Sequence, residues 1–586
     1  MYSALLLEDL LDYTLKIGGE AGQGIDTIGA ILSRVFTRAG YFVFSHRDYE
    51  SRIRGGHNFF QIRLSNKPIG ASRDGIDILV AFDRQSIELH ERELSEKGVI
   101  VYDSAAMKEK FNRPAFLDVP FTETAIKQGG SKIMSNTVAT GAVLGMLGML
   151  GMDLGISYDV IKEELKKKDE QVINANLDAV RAGHEFAVRE CIRCSFTLAP
   201  FGQKKLLITG NDAIGLGAVL SGCRFYSAYP MTPSTGIFNF IAGKALERGI
   251  VVEQAEDEIA AINMAIGASF GGVRSMTASS GGGFSLMVEG LSLAGMTETP
   301  IVIALAQRPG PATGLPTRTE QGELLFALHA GHGEFPRVIF APGTPEQAVD
   351  LTNKAFDLAE KYQIPAFVLT DQYLGDSGWS YETLDLEKIR NVDYRVRGEV
   401  FRALPTYKRH AFTESGISPF GVPGDAPHLV VTDSDEHDEE GHIIEDGETR
   451  RRMVEKRLLK KLPLIKAEIN PPSLCGSDTP DAVIVGWGST YGVMKEAVDR
   501  LSAHNIAMLH FSELYPFPDT TKFDYLAFLR NAKLTICIEN NAMGKFASLM
   551  RSETGYSFGA QILKYDGRPW TVDTLRGEID AHLARI

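Results

Sequence analysis

Three times along this chain a short apolar strand runs into a glycine turn and then a helical pattern. Tyr13-Thr-Leu-Lys-Ile17 meets Gly18-Gly-Glu-Ala-Gly-Gln-Gly24, Lys205-Leu-Leu-Ile-Thr209 meets Gly210-Asn-Asp, and Asp481-Ala-Val-Ile-Val runs into Gly-Trp-Gly488. A strand that turns through glycine into a helix is how a doubly wound α/β sheet begins. With 586 residues, the chain exceeds what one hydrophobic core holds, so each start is expected to open its own unit. Further strand-like runs fit between: 78–82, 99–102 and 115–119, then 224–227, 251–253, 275–277, 301–305, 337–340 and 366–370, and finally 506–510 and 534–539. Helical patterns separate them, which predicts mainly parallel sheets covered on both faces. The expected division is an α/β domain over 1–200, a second over 201–390, a Pro- and Gly-punctuated connecting segment over 391–475, and a last α/β domain over 476–586. No short-period repeat is present, which excludes a solenoid.

Charge and cysteine narrow the function classes. The net charge of −14, with no long basic block to offset it, argues against a general nucleic-acid binder. The basic stretch Arg450 to Lys461 reads as a solvated or interdomain helix face, and the acidic stretch Asp433 to Glu448, with His437 and His442, as a solvated loop. Five cysteines make no disulfide framework, which predicts a reducing, cytoplasmic setting. Cys191-x-x-Cys194 stands alone, and a cluster or structural zinc takes four ligands, so the pair reads as structural or incidental and no metal site is expected. Met1 to Leu11 lacks the basic start of a signal peptide. Ile133 to Met152 is uncharged and long enough to span a bilayer, yet Gly141, Gly145, Gly148 and Gly151 recur along it. Small residues at that spacing predict a close-packed buried helix, not a membrane span.

Three segments carry chemistry. Tyr229-Pro-Met-Thr-Pro-Ser-Thr235 follows a strand and precedes a helix; Pro230 and Pro233 stiffen it, and Thr232 and Ser234 present hydroxyls. Either hydroxyl serves equally as a helix cap. Glu256, Asp257 and Glu258 open the next helical run, where acidic residues complement the helix dipole. That explains one or two of them; the glycine loop Gly281-Gly-Gly-Phe284 after the following strand asks for a ligand or backbone close by. The third segment, Gln307 to Arg318, holds Arg308 and Arg318 in a loop stiffened by Pro and Gly, which suits bidentate carboxylate recognition; a structural ion pair is the alternative for either arginine.

Read together, these segments resemble the α subunit of the 2-oxoacid:ferredoxin oxidoreductases. The resemblance lies in the Tyr229–Thr235 motif, Glu256-Asp-Glu-Ile-Ala-Ala261, Ser279-Ser-Gly-Gly-Gly-Phe-Ser-Leu-Met287, and Gln307-Arg-Pro-Gly-Pro-Ala-Thr-Gly-Leu-Pro-Thr317. It continues in Ile417-Ser-Pro-Phe-Gly-Val-Pro-Gly424, Asp435-Glu-His-Asp-Glu-Glu-Gly-His442 and the last domain. Residues 14–190 resemble the family's γ domain fused in front, marked by Gly18–Gly24 and Tyr49-Glu-Ser-Arg-Ile-Arg-Gly-Gly56. Two positions depart from the usual pattern: Ala21, where Gly is commoner, and Lys545, where Gln is commoner.

The resemblance implies a multidomain α/β fold: a γ-like Rossmann-like domain, a thiamine-diphosphate pyrimidine-binding domain and a transketolase C-terminal-like domain. It implies that Glu258, with Glu256 in reserve, hydrogen-bonds the pyrimidine N1′, the contact that lets the cofactor's own amine take up its C2 proton. Tyr229, Pro230, Gly281, Gly282 and Phe284 line that cofactor site; Thr232 and Ser234 meet the 2-oxoacid, and Arg308 or Arg318 clamps a carboxylate. No Gly-Asp-Gly followed by Asn for Mg²⁺-diphosphate stands in the chain; Gly375-Asp-Ser and Glu445-Asp-Gly lack the sequel. The diphosphate half-site, its Mg²⁺ and a [4Fe–4S] cluster are therefore expected in a β subunit, with CoA and ferredoxin as co-substrates in an α₂β₂ assembly. The leading substrate is 2-oxoglutarate, with pyruvate or branched-chain oxoacids as alternatives. A non-catalytic assembly subunit and a self-contained transketolase-like enzyme are the competing classes.

Overall fold

A computed structural model of the chain describes residues 11–52, 55–129, 131–148, 154–191, 194, 196, 198–199 and 201–584. The amino-terminal Met1–Leu10, Ile53 and Arg54 of the Tyr49–Gly56 segment, positions 149–152 of the glycine-rich stretch, and Pro200 lie outside the described residues. The chain divides into two compact units: 1–208 with 377–384 and 571–574, and 209–376 with 385–570 and 575–586.

The first unit is built on an eight-stranded sheet. Its order is Phe116–Asp118, Leu94–Tyr102, Ile76–Ala81, Asp12–Ala21, Gly55–Ser65, Phe42–Asp48, Gly378–Tyr381, Leu206–Thr209. The first four strands are parallel, as the strand–turn–helix opening predicts, and three of them are the apolar runs read from sequence. The other half departs from that expectation: 55–65 runs antiparallel to both 12–21 and 42–48, and 378–381 antiparallel to 42–48. Leu206–Thr209, expected to open the second α/β unit, lies instead at this sheet's edge. Helix Ser135–Met146 is buried along almost its whole length. Cβ atoms on Gly141 and Gly183 would overlap the carbonyls of Val180 and Val138, so the small residues do let this helix cross Glu170–Glu190 backbone to backbone. No helix among the described residues is long and apolar enough to cross a membrane. Cys191 and Cys194 form a disulfide at the end of the second helix.

The second unit holds two sheets that share a core. The larger has the order Glu513–Tyr515, Val338–Phe340, Pro365–Asp371, Ile301–Gln307, Arg274–Ser279, Cys223–Ala228, Val251–Gln254; all its strands are parallel except the first. Ile301–Gln307 and Pro365–Asp371 are buried at every position, as strands covered on both faces must be. Helix Pro345–Tyr362 shows how locally the boundaries are set. Thr344 accepts the Gln347 N–H at 3.1 Å, Pro345 occupies the first turn, and Gln363 ends the helix in the left-handed region at φ 56°. The smaller sheet has the order Ser473–Gly476, Ile506–Phe511, Ala482–Trp487, Leu534–Glu539, Ala560–Leu563, parallel but for the first strand. Phe367 and Leu369 from one sheet join Val483, Trp487 and Leu509 from the other in one apolar cluster.

The basic stretch Arg450–Lys461 is only in part a solvated face: Arg450, Arg451, Arg452 and Lys460 are exposed, and the other three basic residues are not. Lys456 and Lys461 are fully buried, and both donate to Glu298. Arg457 donates to Glu436 of the acidic segment at 2.9 Å through each of its terminal nitrogens, Nη1 and Nη2, and His437 of that segment is buried with its ring 4.0 Å from that of His410. The α-helical period misleads here because Glu455–Lys460 is a π-helical turn. Such a turn hydrogen-bonds residue i to i+5 and winds more widely than an α-helix, which brings positions 456 and 461 toward one side.

Candidate functional site

Four neighbouring parallel strands of the larger sheet deliver the sequence-singled segments to one rim. In sheet order they are Ile301–Gln307, Arg274–Ser279, Cys223–Ala228 and Val251–Gln254. The chain leaves 223–228 for 251–254 on one side and takes up 274–279 on the other, which makes the gap between 223–228 and 274–279 a topological switch point. Parallel α/β sheets bind ligands outside the carboxyl ends of their strands at such a gap. Met231, just past the first strand, meets Ser280, just past the second; the Ser280 hydroxyl lies 2.7 Å from the Met231 sulfur.

The three acidic residues of 256–258 take three fates. Glu256 points outward into solvent. Asp257 caps helix Glu258–Phe270, accepting the Ala260 N–H at 2.8 Å, which is the dipole-complementing role. Glu258 turns inward and is 3 % exposed, with one hydrogen bond among the described residues, from the Ser279 hydroxyl at 3.3 Å. A Cβ on Gly283 would overlap both Ser279 Oγ and Glu258 Oε1, so only glycine fits over this carboxylate.

Arg308 joins the same rim from the end of strand 301–307. It is buried, and its guanidinium donates to the Thr232 carbonyl at 2.6 Å. Burial lowers its pKa, and the carboxyl of Glu323 acts against that shift. Thr232 is half-buried; Ser234 is buried and donates to the Met231 carbonyl at 2.7 Å, which shapes the turn and leaves helix Thr235–Arg248 without a side-chain cap. Tyr229 is exposed and Pro230 half-buried; Gly282 is open to solvent, whereas Gly281 and Phe284 are buried. Arg318 lies elsewhere in the loop, beside the turn at Gly567, and its guanidinium meets the Thr317 carbonyl at 3.4 Å.

Ser279 and Ser280 stand in the Ser279–Met287 motif, but what they do there is seen only once Met231 and Glu258 are placed against them. Glu323 is the larger omission. Its Oε1 lies 2.5 Å from where a Gly281 Cβ would stand, and burial first, then repulsion from Glu320, pushes its acid up to about 8. Gln321 secures the loop: its Nε2 donates to the Trp487 carbonyl at 2.8 Å, and its Oε1 accepts the Asn540 N–H at 2.9 Å.

A family model described as "Pyruvate flavodoxin/ferredoxin oxidoreductase, thiamine diP-bdg" matches residues 216–456, and one described as "Pyruvate ferredoxin/flavodoxin oxidoreductase" matches 14–186. The 2-oxoacid:ferredoxin oxidoreductase subunit alpha of Sulfolobus sp is 33 % identical, over 97 % of this chain and 96 % of the relative. The 2-oxoglutarate oxidoreductase subunit KorA of Mycobacterium tuberculosis is 27 % identical, over 98 % of this chain and 92 % of the relative. A solved 2-oxoglutarate:ferredoxin oxidoreductase from Magnetococcus marinus, with 2-oxoglutarate, coenzyme A and succinyl-CoA bound, superposes with a TM-score of 0.88. It is 31 % identical and covers 97 % of this chain and 99 % of its own. The match is of whole chain to whole chain, γ-like front included, and the chain belongs to the 2-oxoacid:ferredoxin oxidoreductase α-subunit family.

Proposed function

We propose that the chain holds the aminopyrimidine of thiamine diphosphate at the rim formed by Glu258, Gly281–Gly283 and Met231. With a β subunit it then carries out oxidative decarboxylation of a 2-oxoacid to acyl-CoA and CO₂. The observation that carries the reading is Glu258: a buried carboxylate with one long hydrogen bond, lying under a glycine that leaves no room for a side chain. A carboxylate so placed lacks the partners that normally compensate its burial, and a ring N–H from outside the chain would supply one. Thiamine diphosphate, when bound, supplies a carbon nucleophile and an electron sink for the carboxylate lost as CO₂.

The chain's own residues do the rest by position. Glu258 accepts the pyrimidine N1′ proton and fixes the ring's tautomer, with Phe284 and Gly281 shaping the wall behind it. Arg308 already directs one N–H to the Thr232 carbonyl and has further donors for the substrate's carboxylate. The Thr232 hydroxyl, on the same turn, meets the 2-oxo group. Tyr229, Ile259, Met264 and Leu286 are large apolar side chains exposed around the rim and on its two helices. They suit burial by the β subunit, which we assign the Mg²⁺-diphosphate half-site and the [4Fe–4S] cluster that passes electrons to ferredoxin. The domain division at 200, 390 and 475, an α₂β₂ assembly and a cytoplasmic location belong to the same reading.

The substrate we favour is 2-oxoglutarate, which the solved relative binds. The test is an anaerobic assay of the chain co-expressed with its β subunit, following CoA-dependent reduction of a low-potential dye. Turnover on 2-oxoglutarate and none on pyruvate is expected. Turnover on pyruvate alone overturns the substrate; none on any 2-oxoacid, with thiamine and cluster loaded, overturns the catalytic role.

A further inference from the structure

The loop that begins at Arg308 ends at Glu323, and its two ends come back together. The Glu323 backbone N–H donates to Gln307 Oε1 at 2.9 Å, which ties it to the strand that carries Arg308. Its side chain then leans on the first turn of helix Gly281–Met296, where a Gly281 Cβ would stand 2.5 Å from Oε1 and 2.8 Å from Cγ. The Oε2 atom is closed off from solvent with no hydrogen-bond partner among the described residues. Three charged groups act on this carboxyl through space: Glu320 from the same loop repels it, while Lys545 from helix Lys545–Thr554 and Arg308 attract it. Lys545 is itself occupied, donating to the Gly322 carbonyl.

A carboxyl with one oxygen shut away and unpaired is costly to ionise. As the neutral acid it has little pull on a guanidinium; as the carboxylate it is a strong partner for the nearest free one. Among the described residues only Thr232 takes a hydrogen bond from Arg308, through its carbonyl, so the other donors are open to whichever anion is present.

We infer that Glu323 is a positioning residue for the carboxylate clamp: as the acid it leaves the Arg308 guanidinium to the substrate, and as the carboxylate it competes with the substrate for it. This role presupposes the reading of Arg308 as the clamp. It predicts an alkaline loss of substrate binding without loss of the chemical step.

The test is the pH profile of KM and kcat for 2-oxoglutarate in the reconstituted αβ complex, from about pH 7 to 9.5, with wild type and Glu323→Gln. A competing ionisation raises KM up to about tenfold per pH unit once it is passed, with kcat level. Since burial and Glu320 hold the acid at about 8, the wild-type KM is expected to climb about 30-fold by pH 9.5 and that of Glu323→Gln to stay flat. Glu320→Gln leaves Glu323 in place and buried but removes the second cause of its raised acid, so the climb moves to lower pH. A Glu323→Gln profile that climbs in parallel with wild type overturns the proposal. So does a fall in its kcat with KM unmoved. If Glu323→Gln does not assemble, the direction of the Glu320→Gln shift decides the matter. Arg308→Ala separates the two readings: an unchanged KM at pH 7 overturns the clamp itself, whereas a raised KM with parallel profiles sinks Glu323 alone.

Discussion

Glu298 and Glu258 lie in the same unit and are almost equally hidden, at 1 % and 3 % exposed, but their surroundings treat them in opposite ways. Around Glu298, Lys456 and Lys461 each donate to a carboxylate oxygen, His410 Nδ1 lies at 3.2 Å, and Arg409 holds the residue's own carbonyl at 2.7 Å. Around Glu258 there is one hydroxyl at 3.3 Å. Burial would raise the Glu298 acid, but the two lysines outweigh burial and hold it well below the usual carboxylate range. A buried charge whose partners all belong to the chain fastens the fold. One with a single long contact among the described residues is where we propose that a ligand completes the set.

Exchanging these roles is the way to break the comparison. The largest effect is expected from Glu298→Ala, which leaves two lysines buried without their anion; removing one partner of a buried pair costs about 3–5 kcal/mol. Chemical denaturation of the purified complex measures it, and an unchanged midpoint contradicts the fastening role. The same carboxyl has a folded value below its unfolded one. Its contribution is therefore complete above about pH 5 and drains away as pH falls through the folded value. Wild type should lose stability over Glu298→Ala progressively in acid, and parallel acid curves would refute the linkage.

Next in size is Glu258→Gln, with the opposite signature. Turnover should fall on the order of 10³-fold, the range for a positioned acid–base group, while the denaturation midpoint holds or rises because a poorly paired buried charge is gone. A stability loss matching that of Glu298→Ala would erase the distinction between the two sites. Gly283→Ala sharpens it, since the new methyl intrudes on Ser279 and Glu258; weaker thiamine diphosphate binding by calorimetry, with CoA binding unchanged, is the expected outcome. Smallest is Arg308→Lys, which keeps the charge and loses the fork. KM for 2-oxoglutarate should rise on the order of tenfold with kcat nearly kept, as read from steady-state rates.

The sequence showed the parallel strands of the second unit well, because runs such as Ile301–Leu305 are continuously apolar and bounded by glycine and proline. It hid Phe42–Asp48 and Gly55–Ser65, whose inward positions include Ser45, His57, Gln61 and Arg63, all buried. Buried polar side chains erase the alternation by which a strand is recognised. Thr232, Glu258 and Arg308 were legible because each stands in a stiff loop or first helical turn just past a strand. Glu323 was not, for its importance comes from Gly281, more than forty positions earlier, and no local spacing encodes that approach. The buried lysines were misread for a related reason, since a π-turn changes which residues share a side.

Gln321 makes four hydrogen bonds to the neighbourhood of the smaller sheet: with the Trp487 carbonyl, with the N–H and the carbonyl of Asn540, and with Asn541 Nδ2. The loop from Arg308 is thus moored at both ends, one on each sheet, and its exposed middle at 310–315 folds back on its own start, the Leu315 N–H donating to the Pro309 carbonyl at 3.0 Å. A segment pinned this way has a bounded reach, and lengthening it adds only slowly to the entropy of closing it. Its two ends therefore tolerate very different histories of change. Insertions at 310–315 leave the moorings where they are, whereas a single altered residue at 321 releases the end that carries Glu323 from the smaller sheet. The smaller sheet, none of whose described strands contributes a group to the rim, is in this sense the keel of the clamp we propose.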